Sequence, residues 1–449
     1  MFRLFTFLFI ACLAAVTAVW VAEQSGDVRL LWKGYLIETS VSVFIGTIIF
    51  TAIFAALIFQ LVRIIVGGPR ALLKGRRQRA EARGYKALMR GMVAVAAGDV
   101  AAAKKESQRV QSLHVARPLS LLLSAQCSQL AGDELAADGS FRAMLSEPES
   151  EFLGLRGLLV QALRNGEVKA ALELARRAYE INPQAQWVLK NLIELETLAG
   201  NWPDAERSVI TAERRKIIDP SSAQRRRALI LFQQARVALE ENSEKHARNF
   251  ALRAVRLRPS FVPAVKLAAE LLVSEKRLKR AKSLLKRAWE GEAHPDFAEL
   301  YVKIFEPGTP LERLKILDSL VSSHSSHPEA LLLVADAALD ASLWGTARER
   351  LGQAMEGEPD QRFYRLMARL EQSEHGNEGG ARQWLLKATR AKEPPQWNCQ
   401  VCGVSRLEWI VQCPSCESID AFEWNFAGGQ NQAGPRRTPM LDEILMDSV

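Results

Sequence analysis

The amino-acid sequence predicts an all-α protein: two transmembrane helices, then an α-solenoid, then a small C-terminal metal-knuckle module. Three observations lead to this prediction. Two long runs without a charged side chain open the chain, small residues and prolines recur about every 34 residues through its middle, and four cysteines lie within eighteen residues near its end. With 449 residues, of which 48% are hydrophobic, the chain can form several domains and a sizeable core.

The two uncharged runs cover residues 4–22 and 39–62. About twenty apolar residues span a bilayer as a helix, because each backbone polar group is then satisfied inside its own segment. We therefore expect a two-span membrane anchor over residues 1–68. The first run could instead be a signal peptide, since Val16-Thr17-Ala18 offers a cleavage site.

The positive charge is concentrated directly behind the second run. The formal net charge is +8, and the stretch from Arg63 to Arg90 alone carries nine basic residues and one acidic residue. Positive charge beside a span stays in the cytoplasm, so the N-terminus and everything after Arg63 should be cytoplasmic. The basic juxtamembrane segment, residues 69–90, either sets this topology alone or also binds anionic lipid. Because the rest of the chain is neutral, we expect no nucleic-acid partner.

The middle of the chain, residues 84–394, repeats one helical pattern. In the clearest copy a turn residue, Gly166, opens a helix, Ala171 and Ala178 share one helix face, and Pro183 ends it. The first small position recurs at Ala103, Ala136, Ala171, Ala205, Ala247, Ala281, Ala347 and Ala381. A degenerate unit near residues 311–328 fills the longest gap.

This spacing indicates about nine helical hairpins and resembles the tetratricopeptide repeat. Each hairpin buries its apolar face on its neighbours, so the stack forms a solenoid with a long concave surface. Such surfaces bind extended peptides or partner helices. We therefore expect protein partners on this surface.

The C-terminal cysteines form two C-x2-C pairs that are ten residues apart. Two intervening residues let both sulfurs of a pair face one ion, and four thiolates make a closed tetrahedral site, as in zinc ribbons and rubredoxins. We expect one structural metal ion, zinc rather than iron, although the spacing suits both. The expected ligands are Cys399, Cys402, Cys413 and Cys416.

The metal-binding module should cover residues 397–426, followed by a flexible tail at 427–449. Four aromatic residues would supply its small core: Trp397, Trp409, Phe422 and Trp424. Two disulfides are the alternative, which a cytoplasmic location disfavours. The dipeptide Cys413-Pro414 also resembles a haem-regulatory motif, but the knuckle already explains the proline.

Motifs for catalysis are missing from the sequence. It contains no dinucleotide fingerprint, P-loop, HExxH motif or nucleophile elbow, so we expect a non-enzymatic protein without catalytic residues. Cys12 and Cys127 lie in apolar runs and should be packing residues. His324 and His327 are three apart but lie beside Ser and Pro, which favours a loop over a ligand site.

Three stretches of the chain resemble the HemY family. They begin at Trp32-Lys-Gly-Tyr35, at Arg83-Gly-Tyr85 and at Asp420-Ala-Phe-Glu-Trp424, and the resemblance covers residues 1 to about 426. HemY proteins of this kind are inner-membrane tetratricopeptide proteins linked to haem biosynthesis, distinct from the flavin-dependent oxidases that share the name. The resemblance implies a multi-pass scaffold of the bacterial inner membrane that organises haem-pathway enzymes or intermediates. A haem or porphyrin ligand is not specified by any motif.

The cysteine quartet departs from the HemY pattern and instead resembles the rubredoxin-like tail of the LapB family. LapB proteins are membrane-anchored repeat proteins that bind a protease and enzymes of envelope biosynthesis. That resemblance implies a regulatory adaptor as the alternative function. LapB has one membrane span, so the two predicted spans favour HemY. The sequence does not indicate an oligomeric state.

Overall fold

The computed structural model describes residues 16–17, 19–20, 26–32, 35–113, 116–357 and 359–426, without the side chains of 31–36 and 63–78. It divides into two compact units, Met1–Glu134 and Leu135–Val449, and each is described by itself. The predicted fold class is confirmed, since the described chain is mostly helical and ends in a cysteine cluster. Most of the first predicted span and the tail at 427–449 lie outside the described residues.

A β-hairpin precedes the membrane helix, in the segment that joins the two predicted spans. Strands β1 (Asp27–Trp32) and β2 (Tyr35–Ser40) pair antiparallel from Asp27↔Ser40 to Trp32↔Tyr35. Arg29 and Glu38 face each other in this register and form a surface ion pair of 2.8 Å. Polar and apolar residues alternate from Asp27 to Leu30, over a stretch too short for a helix, which is the signal of a strand.

Helix α1 (Val41–Ala96) runs from the membrane segment into the first helical hairpin. Its first part, Val41–Val62, has a mean hydropathy of 2.5 and no protein contact that buries it, so it is the candidate span within the described chain. Thr47 and Thr51 donate their hydroxyl hydrogens to carbonyls one turn earlier, which satisfies both groups inside the helix. The anchor and the first hairpin therefore share one helix.

The N-terminal unit continues with α2 (Val100–Leu113) and α3 (Arg117–Leu130). These helices form a small hydrophobic core with the end of α1. This core contains Leu88, Val110, Leu123 and Cys127. Burial raises the pKa of the Cys127 thiol, so this cysteine stays a neutral thiol, consistent with a packing role.

The second unit consists of successive helical hairpins. Its helices are α4 (Glu134–Met144), α5 (Glu151–Arg164), α6 (Val168–Ile181), α7 (Gln186–Leu198), α8 (Trp202–Arg214), α9 (Pro220–Glu240), α10 (Glu244–Leu257), α11 (Val262–Ser274), α12 (Leu278–Gly291), α13 (Pro295–Phe305), α14 (Pro310–Val321), α15 (Pro328–Asp340), α16 (Trp344–Met355), α17 (Gln361–His375) and α18 (Glu378–Ala388). A 3-10 turn, Ser322–His324, follows α14. From α5 to α18, each helix packs on the next one in the chain, as a solenoid requires.

One backbone turn explains the repeat spacing. In eight hairpins a residue with φ between +57° and +74° precedes the first buried alanine by five positions. The eight turn residues are Gly98, Gly132, Gly166, Gly200, Asn242, Lys276, Ser342 and Gly376. The left-handed conformation favours glycine, because a Cβ would crowd the following carbonyl.

This rule corrects one predicted position. The repeat pattern predicts Ala136, four residues after Gly132, as the first small residue of the second hairpin, but Ala136 is exposed. The buried residue is Ala137, five after the turn like its counterparts in the other hairpins. The degenerate unit follows another rule: α14 starts at a proline, and the hydroxyl of Thr309 accepts a hydrogen bond from the N–H of Glu312.

The C-terminal module is a three-stranded antiparallel sheet in the order β4-β3-β5. The strands are β3 (Gln396–Cys399), β4 (Ser405–Arg406) and β5 (Phe422–Asn425). Its buried residues belong to the same hydrophobic core as α9–α17. The module is therefore packed against the solenoid.

Candidate metal centre

The four predicted cysteine ligands lie together. All four sulfurs lie within 4.8 Å of one another, and the Sγ atoms of Cys399 and Cys416 are 3.6 Å apart, those of Cys402 and Cys413 3.5 Å. A tetrahedral ion with metal–sulfur bonds of about 2.3 Å needs sulfurs separated by about 3.8 Å. A disulfide needs about 2.05 Å, so the structure has four free thiols rather than two disulfides.

Two similar turns present the sulfurs. The N–H of Gly403 donates to the carbonyl of Cys399, and the N–H of Glu417 donates to that of Cys413, both at 2.8 Å. Gly403 and Glu417 have φ of +77° and +58°. Glycine adopts this left-handed conformation readily, whereas nothing in the sequence around Glu417 indicates it.

The local environments of the Cys399 and Cys416 thiols shift their pKa values in opposite directions. Burial raises the pKa of Cys399 to about 12. Burial also acts on Cys416, but hydrogen bonds with Ser418, Cys402 and Cys399 together outweigh it and lower the pKa to about 7. Four sulfur donors without an open position suit a structural ion, which would bind them as thiolates and release their protons.

Asp420 joins the module to the solenoid by charge. Its carboxylate accepts a hydrogen bond of 2.6 Å from Nε of Arg225 in α9, and its carbonyl accepts one of 2.7 Å from Nη2 of the same side chain. Nη1 of Arg258, which follows α10, lies 3.4 Å from both carboxylate oxygens. Asp420 is mostly buried, so these bonds are less screened than a surface pair.

Trp409 joins the module to the solenoid by aromatic contact. Its ring packs edge-to-face on Phe232 of α9 and on Phe261, which precedes α11, with centroid distances of 5.6 and 5.2 Å. Phe232 and Phe261 also pack on each other at 5.5 Å. The three rings form an aromatic cluster of the kind that stabilises interfaces.

His294, which precedes α13, is the third contact. Its Nδ1 accepts a hydrogen bond from the N–H of Asp296, and its ring lies 4.5 Å from that of Trp424 and 5.6 Å from that of Trp397. Only 2% of His294 is exposed, and burial lowers its pKa to about 4. The imidazole is therefore neutral at pH 7, and no described side chain hydrogen-bonds its Nε2.

Of the four aromatic residues predicted to form the module core, only one lies mainly inside the module. Phe422 is fully buried within it, whereas Trp397, Trp409 and Trp424 turn toward the solenoid. The module covers part of the surface formed by α9 and the starts of α11 and α13.

A cleft of about 480 Å³ remains beside the module. It lies between α7, α9 and the loop 417–423, and its lining mixes apolar side chains with Arg225, Arg226, Glu194 and Glu423. The histidines considered from sequence do not join the cysteines. His324 lies in the 3-10 turn, and the Nδ1 of His327 accepts from the N–H of Glu329 at the start of α15.

Comparison with known proteins gives one family and one curated relative. Residues 26–132 match the family model described as HemY protein N-terminus. The curated relative, "Probable magnetosome protein Mms48" of Magnetospirillum gryphiswaldense, is 28% identical over 229 residues. That alignment covers 50% of this chain and 50% of the relative, so the chain matches about half the length of that protein.

Two solved structures match the chain at low sequence identity. A Naa15/Naa10 complex bound to HypK-THB covers 72% of this chain and 52% of its own, at 14% identity and a TM-score of 0.45. The TPR2AB domain of yeast Sti1 in complex with pHSP90 covers 69% of this chain and 99% of its own, at 14% identity and a TM-score of 0.28. With scores this low, the repeat assignment rests on the hairpins and turns of the chain itself.

Proposed function

We propose that this chain, which resembles the HemY family and contains tetratricopeptide-like hairpins, is a non-enzymatic scaffold of the bacterial inner membrane that organises enzymes or intermediates of haem biosynthesis. The observation that carries the proposal is helix α1, which joins the candidate span to the first hairpin without a break. In this proposal residues 1–68 form a two-span anchor, and the N-terminus and the solenoid are cytoplasmic.

The anchor and the solenoid would act together. A membrane-tethered binding surface meets membrane-associated partners in one plane, which raises their effective concentration without any new contact. The solenoid supplies the protein-binding surface, and the module fixes part of it. One metal ion, zinc rather than iron, would supply folding energy to the module through Cys399, Cys402, Cys413 and Cys416.

Affinity purification of the full chain from its native membranes tests the scaffold function. Ferrochelatase and neighbouring haem-pathway enzymes should be enriched, as quantified by mass spectrometry. The matched control replaces Val41–Val62 with an unrelated membrane span of equal length. It should keep these partners, because the solenoid and not the span selects them. A partner set without haem-pathway enzymes would contradict the proposal.

A regulatory adaptor of LapB type is the second candidate. The docked cysteine module favours it, because a metal site that is packed on the binding surface could report the state of that surface. In the same purification, a membrane protease together with envelope-biosynthesis enzymes would support this candidate. The Cys413→Ser variant should then lose the protease, whereas Cys127→Ser should retain it.

The topology has its own test. A reporter that is active only outside the cytoplasm, fused after Val449, should give no signal in cells. An active reporter would place the solenoid outside the cytoplasm, which excludes both candidates.

A further inference from the structure

A second surface lies away from the module, between α10 and α12. Here a groove of about 380 Å³ runs between the two helices. Its floor is apolar and consists of Leu252, Val255, Leu272, Leu284 and Ala288. Three arginines lie on its rim: Arg256 from α10 and Arg280 and Arg287 from α12.

The rim arginines differ from the other arginines nearby. Arg248 and Arg277 both pair with Glu275, and Arg253 pairs with Glu206. In contrast, Arg256, Arg280 and Arg287 are exposed, and no described carboxylate lies within salt-bridge distance of them. Three unpaired positive charges therefore border one apolar groove.

The spacing along α12 suits an extended ligand. Arg280 and Arg287 are seven residues apart and so lie on one helix face, separated by about 10 Å along the axis. Leu284 lies between them and reaches the floor of the same groove. Across the groove, Leu252 and Arg256 are four apart and repeat the arrangement on α10.

We propose that this groove binds an acidic amphipathic helix of a partner protein. The apolar floor would receive the aliphatic side chains of one helix face, and the three arginines would pair with carboxylates that flank this face. This is a helix-in-groove arrangement with complementary charge on both sides.

The groove fits other anionic partners less well. Its lining has no aromatic side chain on which nucleic-acid bases could stack. A bilayer surface is flat on this scale and could reach the arginines but not the recessed leucines. A small anion would leave the floor uncovered. The proposal deepens the scaffold function but does not depend on which enzymes the scaffold gathers.

The test uses the full chain in nanodiscs of zwitterionic lipid and a defined probe. The probe is a fluorescent peptide of about four helical turns, with Leu on one face and Glu on the flanks. Fluorescence anisotropy should show binding that weakens with added salt. A scrambled peptide of the same composition should bind much more weakly, because it lacks the apolar face.

Matched variants locate the site. The triple variant Arg256→Gln, Arg280→Gln and Arg287→Gln should bind the peptide about tenfold more weakly, as expected for the loss of three partly screened ion pairs. Replacing three other exposed arginines, Arg236, Arg382 and Arg390, with Gln should leave the affinity unchanged. The triple variant Arg256→Glu, Arg280→Glu and Arg287→Glu should bind a peptide in which Lys replaces Glu.

Four results would overturn the proposal. They are equal binding of the scrambled peptide, no effect of the rim variant, no binding by the charge-reversed pair, and tighter binding of anionic vesicles or single-stranded DNA with the same dependence on the rim. Because the probe is synthetic, failure here leaves the haem-pathway result unaffected. Circular dichroism of each variant confirms that the exposed substitutions leave the helices folded.

Discussion

The docking of the cysteine module gives a quantitative prediction at Trp409. The Trp409→Ala substitution removes two edge-to-face contacts, with Phe232 at 5.6 Å and with Phe261 at 5.2 Å. Each such pair contributes about 0.5–1.5 kcal/mol beyond its buried area, so docking should weaken by about 2 kcal/mol. At 1.4 kcal/mol per tenfold, the undocked population should rise about thirtyfold.

Hydrogen exchange of the full chain measures this population. The imidazole C–H of His294 lies against Trp397 and Trp424 and exchanges when the module leaves the solenoid, so its exchange should accelerate about thirtyfold, while the amides of α15 and α16 should not change. Metal content should stay the same, because the substitution leaves the four cysteines in place. This distinguishes undocking from unfolding of the module.

The matched control is Leu407→Ala. Leu407 belongs to the same module but is 83% exposed, so its removal should leave the exchange rates unchanged. Wild-type exchange in Trp409→Ala would refute the energetic role of the aromatic cluster. Equal acceleration throughout the second unit would show instead that the substitution destabilises the whole solenoid.

Three further predictions test other features. Lys276→Gly should raise the free energy of unfolding by up to about 1 kcal/mol, because Lys276 holds φ of +58°; denaturant titration measures it, and a loss would contradict the strain argument. His294 has a pKa lowered from 6.5 to about 4, so the unfolded chain binds a proton first and stability should fall by about 3 kcal/mol as the pH drops from 6.5 to 4. His294→Gln should lack this part of the pH dependence, and an identical profile would refute it. Cys413→Ser should abolish binding of one metal equivalent in elemental analysis, whereas Cys127→Ser should retain it; equal metal in both would assign the quartet another role.

The sequence predicted the hairpins well because their signals are local. Each of the eight regular repeats contains its own turn residue, an alanine five positions later and a closing proline. Each hairpin can therefore be predicted from the residues of a single repeat. The error at Ala136 arose because the turn was counted as one residue too short. The β-hairpin was missed because two six-residue strands beside a strong membrane signal were treated as its connection.

The four cysteines were also predictable, since paired knuckles are a local pattern, but the docking was not. Asp420 and Arg225 are 195 residues apart, and no sequence spacing relates them. The aromatic residues of the module were therefore assigned to its own core. A module this small buries little apolar surface by itself. Its three tryptophans exceed what its core could hold, and this surplus was the sequence signal that the module docks on another surface.

The docked module also changes how the solenoid can deform. A solenoid whose hairpins contact only their neighbours is flexible along its length, so its curvature can adjust to a ligand. Here Arg225, Phe261 and His294 contact the C-terminal module and belong to three successive hairpins. The module therefore links these hairpins to one another through non-covalent contacts, and helices α10–α18 lie between the linked parts of the chain. Bending should therefore be concentrated in α4–α6, which precede the hairpins linked by the module. The groove between α10 and α12 lies inside the linked part, where a rigid shape would lower the ordering cost of binding.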